Sequence, residues 1–320
     1  MNRRLIADIN VLTDAQRARI AAAAQARGFE AVFPADEAEA LAAAADAEVI
    51  LGASLALPKA APKLRWLCVP SAGVEPYVPA EAYANPEAAL TNSSGAYGVT
   101  IAEHIVMVTL ELMRRQGEYN QVVARRGWLR TLPIRSIRGS RVTLLGTGDI
   151  GRTAASRLRG FEPACITGVN TTGHPAEGFD KVLPLSALDE ILPETDVLVL
   201  ALPGTARTAG LMDARRLALL PRDAFLINVG RGSAVDQAAL VRLMKGGHLS
   251  GAALDVFTEE PIPKEDPVWD CPRLLVTPHV AGNMTLGYTL DRIVELFLEN
   301  FDRYCDGRPL MRVVGREKGY

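Results

Sequence analysis

The sequence predicts an α/β fold made of two doubly wound parallel sheets. Short runs rich in aliphatic and β-branched residues alternate with longer helical patterns along the chain, which is the order that places parallel strands between crossover helices. The apolar runs are continuous, as in strands that helices cover on both faces. A length of 320 residues is enough for two such domains at about 150 residues each.

The first strand–helix series occupies the amino-terminal third of the chain. Residues 4–9 (RLIADI) are predicted as a strand and residues 14–27 as an alanine-rich helix, and two further strands follow at 47–51 (AEVIL) and 64–70 (LRWLCVP). The series ends near residue 98, so the first predicted domain begins with residues 1–98.

A second series follows a strong helix pattern at residues 100–116, which ends in two arginines where positive charge suits the helix dipole. Six further strands are predicted, at residues 141–146, 164–170, 196–203, 224–230, 251–256 and 274–280. The amphipathic helix pattern near the end of the chain has room to pack on the first unit. We therefore expect a discontinuous domain, residues 1–98 plus 287–320, and a second domain of residues 99–286.

The composition is that of an ordinary globular protein and argues against several classes of function. Apolar residues make up 48% of the chain and charged residues 22%. The net charge of −2 provides no broad field for binding nucleic acid or anionic lipid. The four cysteines are scattered without CxxC spacing, which predicts free thiols in a reducing cytosol rather than a disulfide framework or a metal site. No apolar run approaches the roughly 20 residues of a membrane span. From the charge and from this absence we expect a cytoplasmic protein that binds neither nucleic acid nor membrane.

A glycine-rich turn at residues 146–151 (GTGDIG) predicts a dinucleotide-binding site, since it follows a predicted strand and opens a predicted helix. Gly146 makes the tight turn, Gly148 allows the pyrophosphate to approach the backbone, and Gly151 allows the helix to pack close to the strand. The phosphates are expected at the helix N-terminus, where free N–H groups and the dipole favour an anion. The predicted cofactor contacts in this turn are Gly146, Gly148, Asp149, Ile150 and Gly151.

The end of the next predicted strand favours NADP over NAD. NAD-binding domains carry an acid about 20 residues beyond the glycine turn, where it binds the adenosine ribose, but here Asn170 stands 19 residues after Gly151. Without that carboxylate a ribose 2′-phosphate meets no repulsion. Asn170, Thr171 and Thr172 can donate hydrogen bonds to it, and Arg152 is the nearest cation in sequence. The alternative is that Asn170 binds the 2′-hydroxyl and that NAD is the cofactor.

Unusual polar residues follow three of the predicted strands, in the segments INVGRGSAVD (227–236), ALDVFTEEP (253–261) and LLVTPHVAG (274–282). Ligands bind at the carboxyl ends of parallel strands, so these are suitable places for a site. Taken singly, an arginine after glycine, a glutamate before proline or a histidine after proline is most often structural. Their order behind a nucleotide-binding turn indicates a catalytic site.

These motifs resemble those of the D-isomer-specific 2-hydroxyacid dehydrogenases. The resemblance covers most of the chain and runs in the family's order through SAGVEPY (71–77), NSSGAYGVTIAEH (92–104), GTGDIG, LPGTARTAG (202–210), NVGRGSAVD, DVFTEEP and TPHVAG. It implies a flavodoxin-like substrate domain and a Rossmann dinucleotide-binding domain, with the active site in the cleft between them. It also implies a homodimer, with a dimerisation arm at about residues 116–138.

The resemblance implies a catalytic set of Arg231, Glu260 and His279. Arg231 takes the place of the arginine that binds the substrate carboxylate and polarises the carbonyl, for which a guanidinium is suited because it bridges two oxygens and stays charged. His279 matches the acid/base that gives a proton to the carbonyl oxygen in reduction and removes it in oxidation. Glu260 matches the carboxylate that favours the protonated imidazole and orients its ring, whereas Glu259 is expected to be solvated.

The family's other contacts fall on the remaining motifs. Ser71, Ala72 and Gly73 resemble the loop whose backbone amides hold the substrate carboxylate, and a glycine there permits close approach. Asp255 matches a position that contacts the nicotinamide amide. The remaining predicted cofactor contacts are Leu202, Pro203, Thr205, Val229, Gly230 and Gly282.

The activity that the resemblance implies is hydride transfer between NAD(P)H and the carbonyl of a small 2-keto acid, which gives a D-2-hydroxy acid. Two alternatives remain open. One is a more specific glyoxylate/hydroxypyruvate or phosphoglycerate-type dehydrogenase. The other is a nucleotide-sensing binding protein like the corepressors that share this fold, which the lack of basic patches and appended interaction segments disfavours.

Overall fold

The computed structural model describes residues 3–316, which form two compact units. Unit 1 consists of Met1–Tyr97 and Met284–Tyr320, and unit 2 of Gly98–Asn283. Each unit contains one parallel sheet with helices. In the part of the chain that the structure describes, no helix has the length and apolar character needed to cross a membrane.

Unit 1 is built on a five-stranded sheet. Its strands are β1 (Arg3–Asp8), β2 (Phe29–Val32), β3 (Ala47–Gly52), β4 (Trp66–Cys68) and β5 (Ala89–Thr91). They pair in parallel in the order β2-β1-β3-β4-β5, which is the flavodoxin-like order and confirms a doubly wound sheet. The strands β2 and β5, which lie at the two edges of the sheet, were not predicted. The helices before β5 are α1 (Asp14–Ala26), α2 (Glu37–Ala44) and α3 (Ala56–Ala60).

Unit 2 is built on a seven-stranded sheet. Its strands are β6 (Arg141–Leu145), β7 (Cys165–Asn170), β8 (Lys181–Pro184), β9 (Val197–Leu200), β10 (Phe225–Asn228), β11 (Gly251–Leu254) and β12 (Leu274–Val276). They pair in parallel in the order β12-β11-β10-β9-β6-β7-β8. This contains the Rossmann order with one added edge strand. Every residue of β9, β10 and β11 is buried, which explains their continuous apolar sequences.

The helices of unit 2 are α4 (Gly98–Arg114), α5 (Gln116–Ala124), α6 (Asp149–Arg159), α7 (Leu188–Ile191), α8 (Ala214–Leu219) and α9 (Gln237–Lys245). The single helix predicted at residues 100–116 ends at Arg114, because Arg115 adopts a left-handed φ of 56° and separates α4 from α5. Whereas α4 buries a row of apolar residues, α5 buries none of its own residues. The exposed segment after α5 includes Trp128, which is 89% exposed.

The last helix, α10 (Gly287–Cys305), belongs to unit 1 and supplies much of its aromatic core. The ring of Phe297 stacks on Trp66 with centroids 5.3 Å apart, and Phe301 lies 5.8 Å beyond it. All three side chains are fully buried. Burial of rings of this size contributes roughly 1.5–3 kcal/mol each, so α10 stabilises the sheet of unit 1.

Several predicted strands are longer than the observed ones at their carboxyl ends. The runs predicted at residues 196–203, 224–230 and 274–280 end in the structure at Leu200, Asn228 and Val276. Residues 201–203 (ALP) and 229–230 (VG) continue the apolar sequence, but the chain leaves the sheet there. The residues that were wrongly assigned to strands therefore form the loops at one edge of the sheet of unit 2.

Candidate active site

The glycine turn after β6 leaves open space beside the N-terminus of α6. Gly146 has a φ of 103°, and a Cβ there would lie 2.5 Å from the carbonyl oxygen of Ala201. A Cβ on Gly151 would lie 2.0 Å from the carbonyl oxygen of Gly146, so only glycine lets α6 pack this closely. A Cβ on Gly148, in contrast, would meet no atom within 4 Å. The turn therefore fits a phosphate group that approaches the backbone at Gly148.

The first turn of α6 has the polar groups that such a phosphate needs. No side chain caps the helix at Gly148, and the first helical hydrogen bond runs from the N–H of Arg152 to the carbonyl of Gly148 at 2.9 Å. The N–H groups of Asp149 and Ile150 precede that bond and lie at the positive end of the helix dipole. These backbone groups are suited to hold the pyrophosphate of a dinucleotide.

The side chain of Asp149 lies against the first turn of another helix. A Cβ on Gly98, where α4 begins, would come within 2.8 Å of both carboxylate oxygens. The N-terminus of α4 favours the negative charge, although Oδ2 is buried and makes no hydrogen bond with residues 3–316. The part of Asp149 that suits a phosphate is therefore its backbone N–H. The need for glycine at position 98 was not recognised from the sequence.

The side chain of Asn170 organises the loop after β7. Its Nδ2 donates to the hydroxyl of Thr147 at 3.0 Å and to the carbonyl of His174 at 2.9 Å. Its Oδ1 accepts from the N–H groups of Thr172 at 3.1 Å and Gly173 at 2.7 Å. An amide side chain makes four such bonds at most, so in this arrangement Asn170 has none left to donate to a ribose phosphate. The exposed hydroxyl donors of the loop are Thr171 and Thr172.

Arg231 lies in a tight loop that follows β10. The buried amide of Asn228 donates to the carbonyl of Arg231 at 2.9 Å and accepts from the N–H of Gly230 at 3.1 Å. A Cβ on Gly230 would lie 2.7 Å from the backbone of Leu202. The loops that follow β9 and β10 are therefore in contact. The guanidinium of Arg231 is half-buried and donates to the carbonyl of Gly230 at 2.7 Å.

The loop after β9 begins with the predicted cofactor contacts Leu202, Pro203 and Thr205. Thr208 closes it, because its hydroxyl donates to the carbonyl of Pro203 at 2.7 Å and accepts from the N–H of Thr205 at 3.0 Å. The next loop begins with Val229, whose N–H donates to the carbonyl of Leu200 at 3.0 Å. The predicted cofactor residues of these two loops therefore lie at neighbouring strand ends.

Glu260 and His279 form a hydrogen-bonded pair. The Nδ1 atom of His279 lies 2.7 Å from Oε2 of Glu260, and Oε1 of Glu260 accepts from the N–H of Phe257 at 2.8 Å. Because an ionised carboxylate only accepts hydrogen bonds, the pair places a hydrogen on Nδ1 and leaves Nε2 to exchange a proton. The His279 side chain is 52% exposed, so a small molecule can reach it. Glu259 is exposed, as expected.

The backbone of His279 is held in an unusual conformation by Asp255. The φ of His279 is 53°, a left-handed value that residues other than glycine seldom adopt. The carbonyl of Asp255 accepts from the N–H of His279 at 2.9 Å, and its Oδ1 accepts from the hydroxyl of Thr277 at 2.6 Å and the N–H of Val280 at 2.9 Å. Its Oδ2 accepts from the N–H of Ala281 at 3.0 Å. Backbone strain that the surroundings enforce is typical of functional sites, and here Asp255 enforces it.

Sequence reasoning missed this bracing function of Asp255, and it missed Thr277 altogether. The Oγ1 of Thr277 also lies 3.4 Å from Nε2 of His104 on α4, and burial lowers the pKa of that histidine. The one sequence signal was the polar residue directly before the Pro278–His279 pair. The predicted contact of Asp255 with a nicotinamide amide stays a prediction, as does that of Gly282, which is half-buried at the end of the same turn.

The three predicted catalytic residues lie on loops that follow neighbouring strands. The order β12-β11-β10 brings the ends of these strands side by side. A Cβ on Gly232 would lie 1.9 Å from the carbonyl carbon of Phe257, so the loop of Arg231 packs directly on the loop of Glu260. Within residues 3–316 no group of three or more His, Cys, Asp or Glu side chains is placed to hold a metal ion. The predicted substrate loop Ser71–Gly73 follows β4 in unit 1 and is half-exposed.

Comparison with known proteins decides the family. A sequence model of the D-isomer specific 2-hydroxyacid dehydrogenase NAD-binding domain matches residues 106–281, which is more than half of the chain. The chain belongs to this family. A glyoxylate/hydroxypyruvate reductase A from Salmonella newport strain SL254 is 31% identical to this dehydrogenase over 225 residues, which cover 70% of each chain.

Solved structures of similar proteins superpose on nearly the whole length of this chain. A D-isomer specific 2-hydroxyacid dehydrogenase family protein from Aeromonas salmonicida is 31% identical and superposes with a TM-score of 0.86, over 99% of this chain and 100% of that one. An NADPH-dependent glyoxylate/hydroxypyruvate reductase from Sinorhizobium meliloti, solved in complex with NADP and sulfate, is 26% identical with a TM-score of 0.82 and covers the same shares. The predicted family and enzyme class, an NAD(P)-dependent 2-hydroxyacid dehydrogenase, are thereby confirmed.

Proposed function

We propose that this dehydrogenase reduces a small 2-keto acid to the D-2-hydroxy acid with NADPH. The observation that carries the proposal is the pair of Glu260 and His279, whose side chains lie 2.7 Å apart, with the loop of Glu260 packed on the loop of Arg231. The pair provides a proton donor with a carboxylate behind it, and Arg231 provides a permanent cation. Reduction of a carbonyl beside a carboxylate needs both of these groups.

Each residue has a distinct role in the proposed reaction. The guanidinium of Arg231 binds the substrate carboxylate and draws electron density toward the carbonyl oxygen. Nε2 of His279 gives its proton to that oxygen, and Glu260 stabilises the positive charge of the ring before the transfer. The reduced nicotinamide, when bound, supplies the hydride. The backbone N–H groups of the Ser71–Gly73 loop hold the substrate carboxylate.

We propose NADP as the cofactor, with NAD as the alternative. No carboxylate stands at the end of β7, where an NAD-type domain has one, and Thr171 and Thr172 offer exposed hydroxyl donors there. The Sinorhizobium meliloti relative was solved with NADP. The other proposed cofactor contacts lie in the glycine turn and at the neighbouring strand ends, at Gly146, Gly148, Asp149, Ile150, Gly151, Leu202, Pro203, Thr205, Val229, Gly230, Asp255 and Gly282.

Asn170→Asp is expected to weaken the preference for NADPH over NADH. The carboxylate repels a 2′-phosphate and cannot donate to the carbonyl of His174, whereas it can accept from a ribose hydroxyl. We expect the ratio of kcat/KM for NADPH to that for NADH to fall by about 10- to 100-fold, the scale of one lost or one repulsive polar contact. Asn170→Ala is the control, because it loosens the loop without adding charge and should affect both cofactors similarly. A wild-type preference for NADH would overturn the NADP assignment.

Alanine at Gly148 and at Gly151 is expected to separate cofactor binding from folding. At Gly148 the added Cβ meets no protein atom, so the melting temperature should stay unchanged while the KM for NADPH rises about tenfold or more, because the methyl group stands where the phosphate approaches. At Gly151 the Cβ overlaps a carbonyl oxygen, and overpacking of about 1–3 kcal/mol should lower the melting temperature by several degrees. Equal effects of the two substitutions on both measurements would contradict this reading of the turn.

Glyoxylate/hydroxypyruvate reduction is the second candidate function, because relatives from Salmonella and Sinorhizobium carry that name. The experiment is a panel of glyoxylate, hydroxypyruvate, pyruvate, longer 2-keto acids and a phosphorylated 2-keto acid, assayed by loss of NADPH or NADH absorbance. We expect turnover that is concentrated on small members of the panel. If no member is reduced with either cofactor, the result would favour the alternative function, a nucleotide-sensing binding protein.

We further propose that the chain forms a homodimer through the segment at about residues 116–138. The helix α5 buries none of its residues within its own chain, and Trp128, Leu129 and Ile134 behind it are exposed. Aromatic side chains of this kind anchor protein interfaces. Sedimentation equilibrium should give twice the mass of one chain, and a monomer at micromolar concentration would contradict the proposal.

We also propose a cytoplasmic location, without partners in nucleic acid or membrane. The structure has Cys68, Cys165, Cys271 and Cys305 as free thiols, which suits a reducing compartment. Cell fractionation tests the location, and recovery of the enzyme with membranes would contradict it.

A further inference from the structure

The loop that contains Ser71, Ala72 and Gly73 is held in place by hydrogen bonds to its carbonyl groups. All five carbonyls from residue 69 to residue 73 accept hydrogen bonds, and four of the five donors lie in residues 92–97. Ser93 supplies two of these donors. Its hydroxyl donates to the carbonyl of Val69 at 3.0 Å, and its N–H donates to the carbonyl of Ser71 at 3.0 Å.

Two longer side chains supply the other donors of that segment. The hydroxyl of Tyr97 donates to the carbonyl of Pro70 at 2.6 Å, and Nδ2 of Asn92 donates to the carbonyl of Ala72 at 3.0 Å. The fifth carbonyl, that of Gly73, accepts from the hydroxyl of Ser71 at 2.6 Å. Each of these distances is that of a well-formed hydrogen bond.

The N–H groups of the same loop remain available. The N–H groups of Ala72 and Gly73 donate to no acceptor within residues 3–316, and both residues are half-exposed. Because every carbonyl of the loop already accepts a hydrogen bond, the free polar groups of its backbone are donors. Successive backbone N–H groups that have no partner in the chain are the kind of donor that binds an anion. The loop is thus built to hold a carboxylate, and residues 92–97 determine its conformation.

We propose that Asn92, Ser93 and Tyr97 are positioning residues for the substrate carboxylate, which act by binding the carbonyls of the Ser71–Gly73 loop so that its N–H groups face the ligand. The identification of the ligand as a 2-keto acid rests on the proposed function above. The inference that the loop binds an anion does not rest on that function. Tyr97 is 6% exposed, so it acts through the loop rather than on the ligand, and burial raises the pKa of its hydroxyl, which therefore stays protonated as a donor.

A pair of tyrosines allows a matched test. Tyr83 is also 6% exposed and also donates to a backbone carbonyl, that of Tyr77 at 2.8 Å, which lies outside the Ser71–Gly73 loop. We expect Tyr97→Phe to raise the KM for the 2-keto acid about tenfold, as when one buried carbonyl loses its donor. The kcat and the KM for NADPH should stay within about twofold. Tyr83→Phe removes an equivalent bond and should leave all three constants unchanged.

A pair of asparagines gives a second, independent test. In Asn92 the Oδ1 accepts from the N–H of Ser94 at 3.2 Å while Nδ2 binds the carbonyl of Ala72. In Asn85 the Oδ1 accepts from the N–H of Glu87 at 3.3 Å while Nδ2 binds the carbonyl of Leu64 at 2.8 Å, away from the loop. Asn92→Ala should repeat the rise in the KM for the 2-keto acid, and Asn85→Ala should not. If each variant and its control behave alike, or if kcat falls while KM is unchanged, the proposal is overturned.

Oxalate binding, measured by calorimetry on the protein loaded with NADPH, separates this inference from the proposed function. Oxalate has the carboxylate but no reducible carbonyl. Weaker oxalate binding in Tyr97→Phe than in Tyr83→Phe supports the positioning role even if the wild-type protein reduces no 2-keto acid, a result that would overturn only the proposed function. Failure of the wild-type protein to bind oxalate would overturn the anion site and the positioning role together.

Discussion

Replacing His279 by alanine is expected to lower kcat/KM for reduction of the 2-keto acid by about 10²–10⁴-fold, the usual contribution of a positioned general acid. Alanine has no group that can transfer a proton, whereas the imidazole has its Nδ1 held at 2.7 Å from Glu260 and its Nε2 left for the substrate. The loss should appear mainly in kcat, because the proton moves only in the transition state. Steady-state kinetics with saturating NADPH measure it.

The control for His279 is His248→Ala. His248 is partly buried, and its Nε2 lies 2.9 Å from the carbonyl oxygen of Leu220, a structural contact beyond the C-terminal end of α9. This substitution should change the melting temperature more than kcat. Turnover of the His279→Ala variant near that of the wild type would show that another group donates the proton.

The sequence predicted the fold class well because parallel strands that are covered on both faces need continuous apolar runs. The strands β9, β10 and β11 are buried throughout, and the sequence marks all three clearly. The strands β2 (FEAV), β5 (ALT) and β8 (KVLP) left no such signal, because they lie at sheet edges and each includes a polar residue, so that none is a continuous apolar run. Strand order is set by pairing between distant segments, so only the likeness to a known family indicated it in advance.

What the sequence could not predict about the candidate site has a similar physical origin. The residues at strand ends could be recognised as candidates because of their motifs, but the hydrogen bonds that shape them join distant positions. Asp255 bonds to Thr277, Val280 and Ala281 only because β11 and β12 lie side by side. Asn170 was expected to face a phosphate, yet folding of the loop back on itself uses its whole amide. Local sequence shows which polar residues exist, whereas the tertiary fold determines which of them are already paired.

Replacing Arg231 by alanine is expected to lower kcat/KM by about 10²–10⁴-fold, because the carbonyl oxygen then develops its negative charge without a fixed cation nearby. Arg231→Lys should recover only part of this loss, since an ammonium is a single point charge and cannot bridge two oxygens as a guanidinium does. The control is Arg215→Ala, which removes an exposed arginine paired with Asp189 at 2.7 Å. Binding of NADPH, followed by fluorescence, should be similar in all these variants, and a parallel loss of NADPH affinity in Arg231→Ala would point to a cofactor role instead.

Arg231→Ala combined with His279→Ala tests whether the two residues act on the same transition state. The proposed mechanism has both groups stabilise one event at the carbonyl oxygen, the growth of negative charge and its neutralisation by a proton. Groups that act as a unit show strongly non-additive losses, so the double variant should lose much less activity than the product of the two single losses. A fully multiplicative loss would mean that the two residues contribute independently, and that they do not act as one unit on the charge at the carbonyl oxygen.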